Sequence, residues 1–164
     1  MAVLQDIKVA DETFLATALL HREHPHREDF TIAEIVDRAT QENIHGELRP
    51  GVRVHATLHC VANRAPNPGT YRMLYATGKS TRRLLLEGDN IHADRNGKIF
   101  PDPDQVPGKY QELIAWAQRR FHKDRAPGRT RWLGGILDLF GAGKDLWKDE
   151  DPDEYVRKQR EGWE

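Results

Sequence analysis

An α+β, mostly helical chain is predicted by three features of the sequence. Apolar residues recur at helical spacing in three segments before residue 64, a β-rich pair of segments follows around a glycine turn, and the texture changes after residue 122. The expected organisation is a folded domain over 1–122, a linker over 123–130 and an extended or helical tail over 131–164. Apolar residues make up 38%, charged residues 31%, and the mean hydropathy is -0.76, so part of the chain is expected to lie outside any core.

Ala10 to His21 carries Phe14, Leu15, Ala18 and Leu19 at spacings of one, three and four. This predicts an amphipathic helix that Asp11 caps and Pro25 stops. Thr31 is expected to cap a second helix, because Glu34 stands three residues later in the capping-box position. Its buried stripe would be Ile32, Ile35, Val36 and Ala39, and a loop follows through Asn43, Gly46 and Pro50. A third helix is predicted from Val52 to Asn63, with Val54, Leu58 and Val61 inward at i, i+4 and i+7. Arg53, Ala56, His59, Cys60, Asn63 and Arg64 would take the other side, and Pro66 and Pro68 end the helix.

Tyr71–Thr77 and Thr81–Leu86 are rich in aromatic, aliphatic and β-branched residues, and Gly78, Lys79 and Ser80 between them predict a hairpin. After a turn-rich stretch from Glu87 to Pro107, Lys109 to Phe121 reads as a helix with Leu113, Trp116 and Ala117 inward and Tyr110 close to that face. Three helices followed by a hairpin is the order of a winged helix-turn-helix domain, which the helix at 109–121 would close. The charged, proline- and glycine-containing run from Lys123 to Thr130 reads as a linker.

Charge is divided unevenly. Residues 145–164 carry eight acidic and four basic side chains, a balance of -4, so the overall -1 leaves +3 on the other 144 residues. From Arg49 through Leu86 there is no Asp or Glu, although 26 of 164 residues are acidic and about six would be expected in those 38 positions. The same stretch holds Arg49, Arg53, Arg64, Arg72, Lys79, Arg82 and Arg83. A surface facing duplex DNA gains affinity from Lys and Arg by counterion release and is weakened by acids. Arg53, His59, Asn63 and Arg64 are therefore expected to project from the third helix toward base edges, which Arg and Asn can contact bidentately. Lys79, Arg82 and Arg83 would touch phosphates or the minor groove from the hairpin. The bland alternative is a solvated basic face, or one that docks an acidic protein.

Other chemistries are not expected. Gly78-Lys79-Ser80 resembles the end of a phosphate-binding loop, but Met73 stands where the first glycine is required and the tripeptide joins two strands. Gly143-Lys144 is followed by Asp145 rather than Ser or Thr. His55 and His59 lack the intervening Glu of the metalloprotease pattern, since Ala56 holds that place, and His21, His24 and His26 straddle a proline. Cys60, the single cysteine, forms no intrachain disulfide and has no evident general base. The expectation is a non-enzymatic chain without metal or cofactor. Met1 to Lys8 lacks the pattern of a secretory signal, and no stretch reaches the roughly 20 apolar residues of a membrane span, so a reducing cytoplasm is expected.

The tail is the most distinctive segment. Ile136 to Phe140 is apolar and ends at Gly141-Ala142-Gly143, Lys144-Asp145-Leu146-Trp147 follow, and then comes an acidic stretch. Asp151 can cap a last helix with Pro152 at its first position and Glu154 at its third, and Tyr155, Val156 and Trp163 lie near one face of it. A short aromatic-bearing helix behind a linker either folds back or occupies a groove on another protein, where Trp and Tyr are favoured anchors. The run from Gly141 to Trp147 and that from Asp151 to Glu164 resemble the toxin-neutralising segment of VapB-type antitoxins, which partner PIN-domain (VapC-like) ribonuclease toxins. The resemblance covers about the last 30 residues. It implies that the tail wraps along the toxin and sets a basic side chain near the metal-binding carboxylates. Arg157, Lys158 and Arg160 stand at matching positions, and the bidentate geometry of guanidinium favours Arg157 or Arg160. Leu146, Trp147, Tyr155, Val156 and Trp163 would be the apolar anchors. The front departs from the swapped-hairpin, ribbon-helix-helix or Phd-like domains usual in such antitoxins.

The sequence thus points to an antitoxin of a type II toxin-antitoxin pair that regulates its own operon by binding operator DNA. The alternative is a winged-helix transcriptional regulator whose tail mediates oligomerisation. Homo-oligomerisation is compatible with either, and no membrane partner is expected.

Overall fold

Residues 6–47 and 49–123 are described by a computed structural model. Helix α1 (Val9–Glu23) runs through the middle of the core: from Ala10 to His21 every residue except Leu19 is buried. The periodicity predicts one apolar face, but neighbours also cover the polar face, and that requires partners for its charges. Asp11 receives Lys98 at 2.8 Å and Glu12 receives Arg49 at 2.6 Å. The Thr13 and Thr17 hydroxyls donate to carbonyls one turn back. Asp11 therefore does not cap the helix. It lies inside the first turn, and the capping position belongs to Lys8, which makes no side-chain cap bond.

Strand β1 (Phe30–Thr31) leads directly into α2 (Ile32–Glu42). The capping box predicted for Thr31 and Glu34 is present, with the Thr31 hydroxyl accepting from the Glu34 amide and the Glu34 carboxylate accepting from the Thr31 amide. Arg27 grips the same carboxylate through two bonds of 2.6 and 3.1 Å. That bond, foremost, and the Thr31 amide hold the Glu34 carboxyl down at about 2. Ile32, Ile35 and Ala39 face the core, with Val36 half-buried, and α2 ends at Asn43, whose φ of 52° is a left-handed conformation that Asn tolerates.

Helix α3 (Gly51–Val54) continues as a π-helical turn over His55–His59. Strands β2 (Leu74–Ala76) and β3 (Thr81–Leu84) form the expected antiparallel hairpin, with Tyr75 opposite Arg83. Strand β1, which the pattern reading missed, pairs antiparallel with β3 through Phe30–Arg82 and Thr31–Thr81, giving the sheet order β1-β3-β2. Two residues are too few to show alternation. Among the described residues the architecture is α+β: four helices, with short π and 3₁₀ turns, around a three-stranded antiparallel sheet.

The polar stretch after β3 contains only a 3₁₀ turn, Pro103–Gln105, before a second, Gly108–Tyr110, opens α4 (Gln111–Lys123). The Tyr110 hydroxyl bonds the Glu42 carboxylate, which Arg38 also holds at 3.0 Å, so the start of α4 is pinned to the end of α2. Burial, with Glu42 beside it, pushes the Tyr110 phenol up. Leu113, Ile114 and Ala117 are buried, and Trp116 packs half-buried at the edge of the core. Among the described residues no helix is long and apolar enough to cross a membrane.

Candidate nucleic-acid interface

Close approach, rather than side-chain size, decides which face of α3 is inward. Gly51 lies against Val9 of α1, and a Cβ there would sit 3.1 Å from the Val9 Cγ1. Val52, Ala56 and Cys60 are completely buried. Two of these three are small, which lets the helix settle onto its neighbour. The face predicted to point inward is corrected accordingly: Val54 and Leu58 are turned outward, 43% and 37% exposed, and only Val61 of that set is buried. Arg53 is exposed beside Val54, and the Thr57 hydroxyl donates to the Arg53 carbonyl at 2.7 Å. Arg53, Val54, Thr57 and Leu58 thus form one outer face, one cation among short apolar and hydroxyl groups.

The hairpin lies beside this face because one guanidinium joins them. Arg82, fully buried, donates from Nε to the Ala56 carbonyl at 2.9 Å and from Nη2 to that of Thr57 at 3.4 Å. Its Nη1 donates to the carbonyls of Gly78 at 3.1 Å and Thr81 at 2.7 Å. Burial, with Arg64 nearby, lowers its pKa to about 10, so it stays charged at neutral pH. Lys79 is exposed at the tip of the turn so anchored. Carboxylates reach the hairpin from outside it: Asp29 accepts the Thr77 hydroxyl at 2.6 Å, and Asp89 holds Arg83.

Several residues expected at a DNA surface are engaged internally instead. Arg82 is the clasp just described and presents nothing to a phosphate. Arg83 is 6% exposed, held bidentately by Asp89 at 2.6 and 2.7 Å, and stacked on Tyr75. Both were expected outward because their partners lie outside the acid-free stretch or are main-chain carbonyls. Asn63 uses both ends of its amide on Ala76, accepting from its N–H at 2.9 Å and donating to its carbonyl at 3.0 Å, so it extends the sheet and reads no adenine. His59 is half-buried, with Nδ1 accepting from the Gly69 amide at 3.4 Å and its ring edge-on to His55. A Cβ at Gly69 would come within 2.6 Å of His59, so that glycine is required for the contact.

Of the other cations in the acid-free stretch, Arg49 is taken by Glu12 and the Arg72 Nε donates to the Gly97 carbonyl at 2.7 Å. Among the described residues Arg53, Arg64 and Lys79 make no ion pair, and Arg64 is half-buried. The residue that pattern reading missed is Arg95. Only 4% exposed, it donates to the carbonyls of Leu58, His59, Arg64, Ala65 and Tyr71, and so closes the end of the π-helical turn. Nothing in its local sequence, an Asn-Gly turn, signals this.

The buried heteroatoms on α3 do not form a reactive centre. His55 Nδ1 stands 3.4 Å from the Cys60 sulfur, with the His55 pKa lowered to about 4 by burial, then by His59 and Arg49. Burial pushes the Cys60 thiol up, which disfavours a thiolate. Among the described residues no group of three or more His, Cys, Asp or Glu is arranged to hold a metal ion. The tail residues Leu146, Trp147, Tyr155, Val156, Arg157, Arg160 and Trp163 lie outside the described residues, as does the linker beyond Lys123, the last residue of α4. Comparison of the chain with protein-family models, with curated proteins and with solved structures finds no match.

Proposed function

We propose that the chain is a DNA-binding antitoxin. In this reading residues 1–122 form a winged helix-turn-helix domain that binds operator DNA, and residues 131–164 neutralise a PIN-domain ribonuclease. The observation that carries the DNA-binding half is connectivity: α1, β1, α2, α3, β2, β3 in the chain, with β3 between β1 and β2 in the sheet. That is the order by which a winged helix sets its third helix beside a hairpin wing, so that one enters the major groove while the other flanks it. The exposed outer face of α3, with Arg53, and the exposed Lys79 at the hairpin tip support it. The toxin-binding half rests on the tail motif, Gly141 to Trp147 and Asp151 to Glu164.

The test is co-expression of the full chain with the product of the adjacent reading frame, followed by capture and by binding to the promoter duplex. Capture of a PIN-size partner should be lost on deleting residues 131–164, while promoter binding survives. A truncated chain that still captures the partner overturns the assignment of the tail. A full chain that retains no duplex overturns that of the front.

A further inference from the structure

We propose that the outer face of α3 reads the 5-methyl groups of thymine in the major groove, through Val54 and Leu58. The inference rests on the DNA-binding reading and adds its specificity determinant. Val54 and Leu58 stand four residues apart and are the two exposed large aliphatic residues of the helix. Their exposure is built in: Val52, Ala56 and Cys60 occupy the inward positions, and the clasps of Arg82 and Arg95 on the carbonyls of Ala56, Thr57, Leu58 and His59 hold the helix in that orientation. An aliphatic pair held in water can be covered by an apolar counterpart, and the apolar feature that duplex DNA offers in its major groove is the thymine methyl.

Charge selects duplex DNA over a protein as the occupant. No acid occurs between Arg49 and Leu86, Arg53 flanks Val54 directly, and Arg82 fixes the turn bearing Lys79 against the same helix. A face of two aliphatics with Arg53 beside them, and with the exposed Lys79 on the neighbouring hairpin, complements a groove lined by phosphates. Arg53 is then placed to pair with guanine next to the thymines that Val54 and Leu58 cover.

The experiment uses the full chain and duplexes enriched by it from a random-sequence pool. Each thymine of the enriched site is replaced in turn by deoxyuridine, which removes the methyl and nothing else. Wild type should lose about fourfold in affinity at each of two or more positions, the transfer value of one buried methyl. Val54→Ala and Leu58→Ala should each abolish the discrimination at its own position. Both side chains are exposed, so both variants should melt with the wild type. Lys79→Ala should weaken thymine and uracil duplexes alike. If duplexes are enriched but wild type does not distinguish uracil from thymine, or the two variants keep the distinction, this proposal falls and the DNA-binding reading stands. The same holds if Val54→Ala and Leu58→Ala instead abolish a self-association of the chain. If no duplex is enriched, both fall.

Discussion

Replacing His21 by glutamine should remove a specific acid sensitivity from the fold. His21 is completely buried on α1, its ring edge-on to Phe30, and its Nε2 accepts the Leu84 amide of β3 at 3.2 Å. That bond requires the neutral ring, and Nδ1 has no hydrogen-bond partner among the described residues. Burial, then the charges of Arg120, Arg83 and Arg27, lower its pKa from 6.5 to about 3. Between those two values the unfolded chain binds a proton that the folded chain refuses, so stability is constant above about pH 7 and falls as acid is added. Each pH unit in that window removes up to about 1.4 kcal/mol, so going from pH 6.5 to 4.5 removes about 2.5 kcal/mol of a total that is roughly 5–15 kcal/mol for a domain of this kind. Urea unfolding of both proteins at pH 7.5, 6.5, 5.5 and 4.5 measures it. Glutamine keeps an acceptor for Leu84 and cannot ionise, so the variant should be about 1–2 kcal/mol weaker at pH 7.5 yet shed less stability with acid. His55 titrates in both proteins, and its contribution cancels in the difference. Parallel profiles, within about 0.3 kcal/mol per pH unit, would refute the argument, because they would mean that folded His21 accepts its proton at the ordinary value.

Arg82→Met should act on stability before it acts on binding. Leaving the Ala56, Gly78 and Thr81 carbonyls without their donor should cost about 3–5 kcal/mol in urea unfolding, and a variant as stable as wild type would show that Arg82 is not a clasp. The salt dependence of promoter binding should be shallow. Arg53, Arg64 and Lys79 are the cations of the acid-free stretch with no ion pair or side-chain hydrogen bond among the described residues, so log K against log salt should fall with a slope near about -3 per bound chain. A slope of about -6, as seven free cations would give, would mean that the buried arginines swing out on binding.

What could be read from the sequence divides by the range of the physics. The Thr31–Glu34 box was legible because donor and acceptor lie three residues apart and interact whatever the rest of the chain does. The hairpin and α4 were legible for a similar reason, through turn chemistry and periodicity. The face of α3 was not. Periodicity weights large aliphatics, so it turned Val54 and Leu58 inward, whereas the buried face is Val52, Ala56 and Cys60, with Gly51 allowing the close approach to Val9 of α1. The polar surroundings of α1 were illegible too, since Asp11 meets Lys98 and Glu12 meets Arg49 from 87 and 37 residues away. Charge failed in the same way at Arg82 and Arg83, whose partners are helix carbonyls some 25 residues earlier and Asp89 six residues later.

That last failure changes what the acid-free stretch means. A π-helical turn leaves carbonyls poorly satisfied, and here they are gathered by two buried guanidiniums, Arg82 from the hairpin side and Arg95 at the end. Neither guanidinium has a carboxylate partner among the described residues. A carboxylate introduced nearby would bind them more strongly than the carbonyls do and draw them out of place. The fold thus gives its own reason to keep acids away from these two guanidiniums, beside any that DNA gives. The weight of the nucleic-acid reading moves accordingly, from the number of cations in the stretch to the strand order that sets α3 beside the hairpin and to the face α3 is locked into presenting. On the proposed reading, shape and methyl contact add to a small number of free cations, and a shallow salt slope with thymine-sensitive affinity is the signature expected of it.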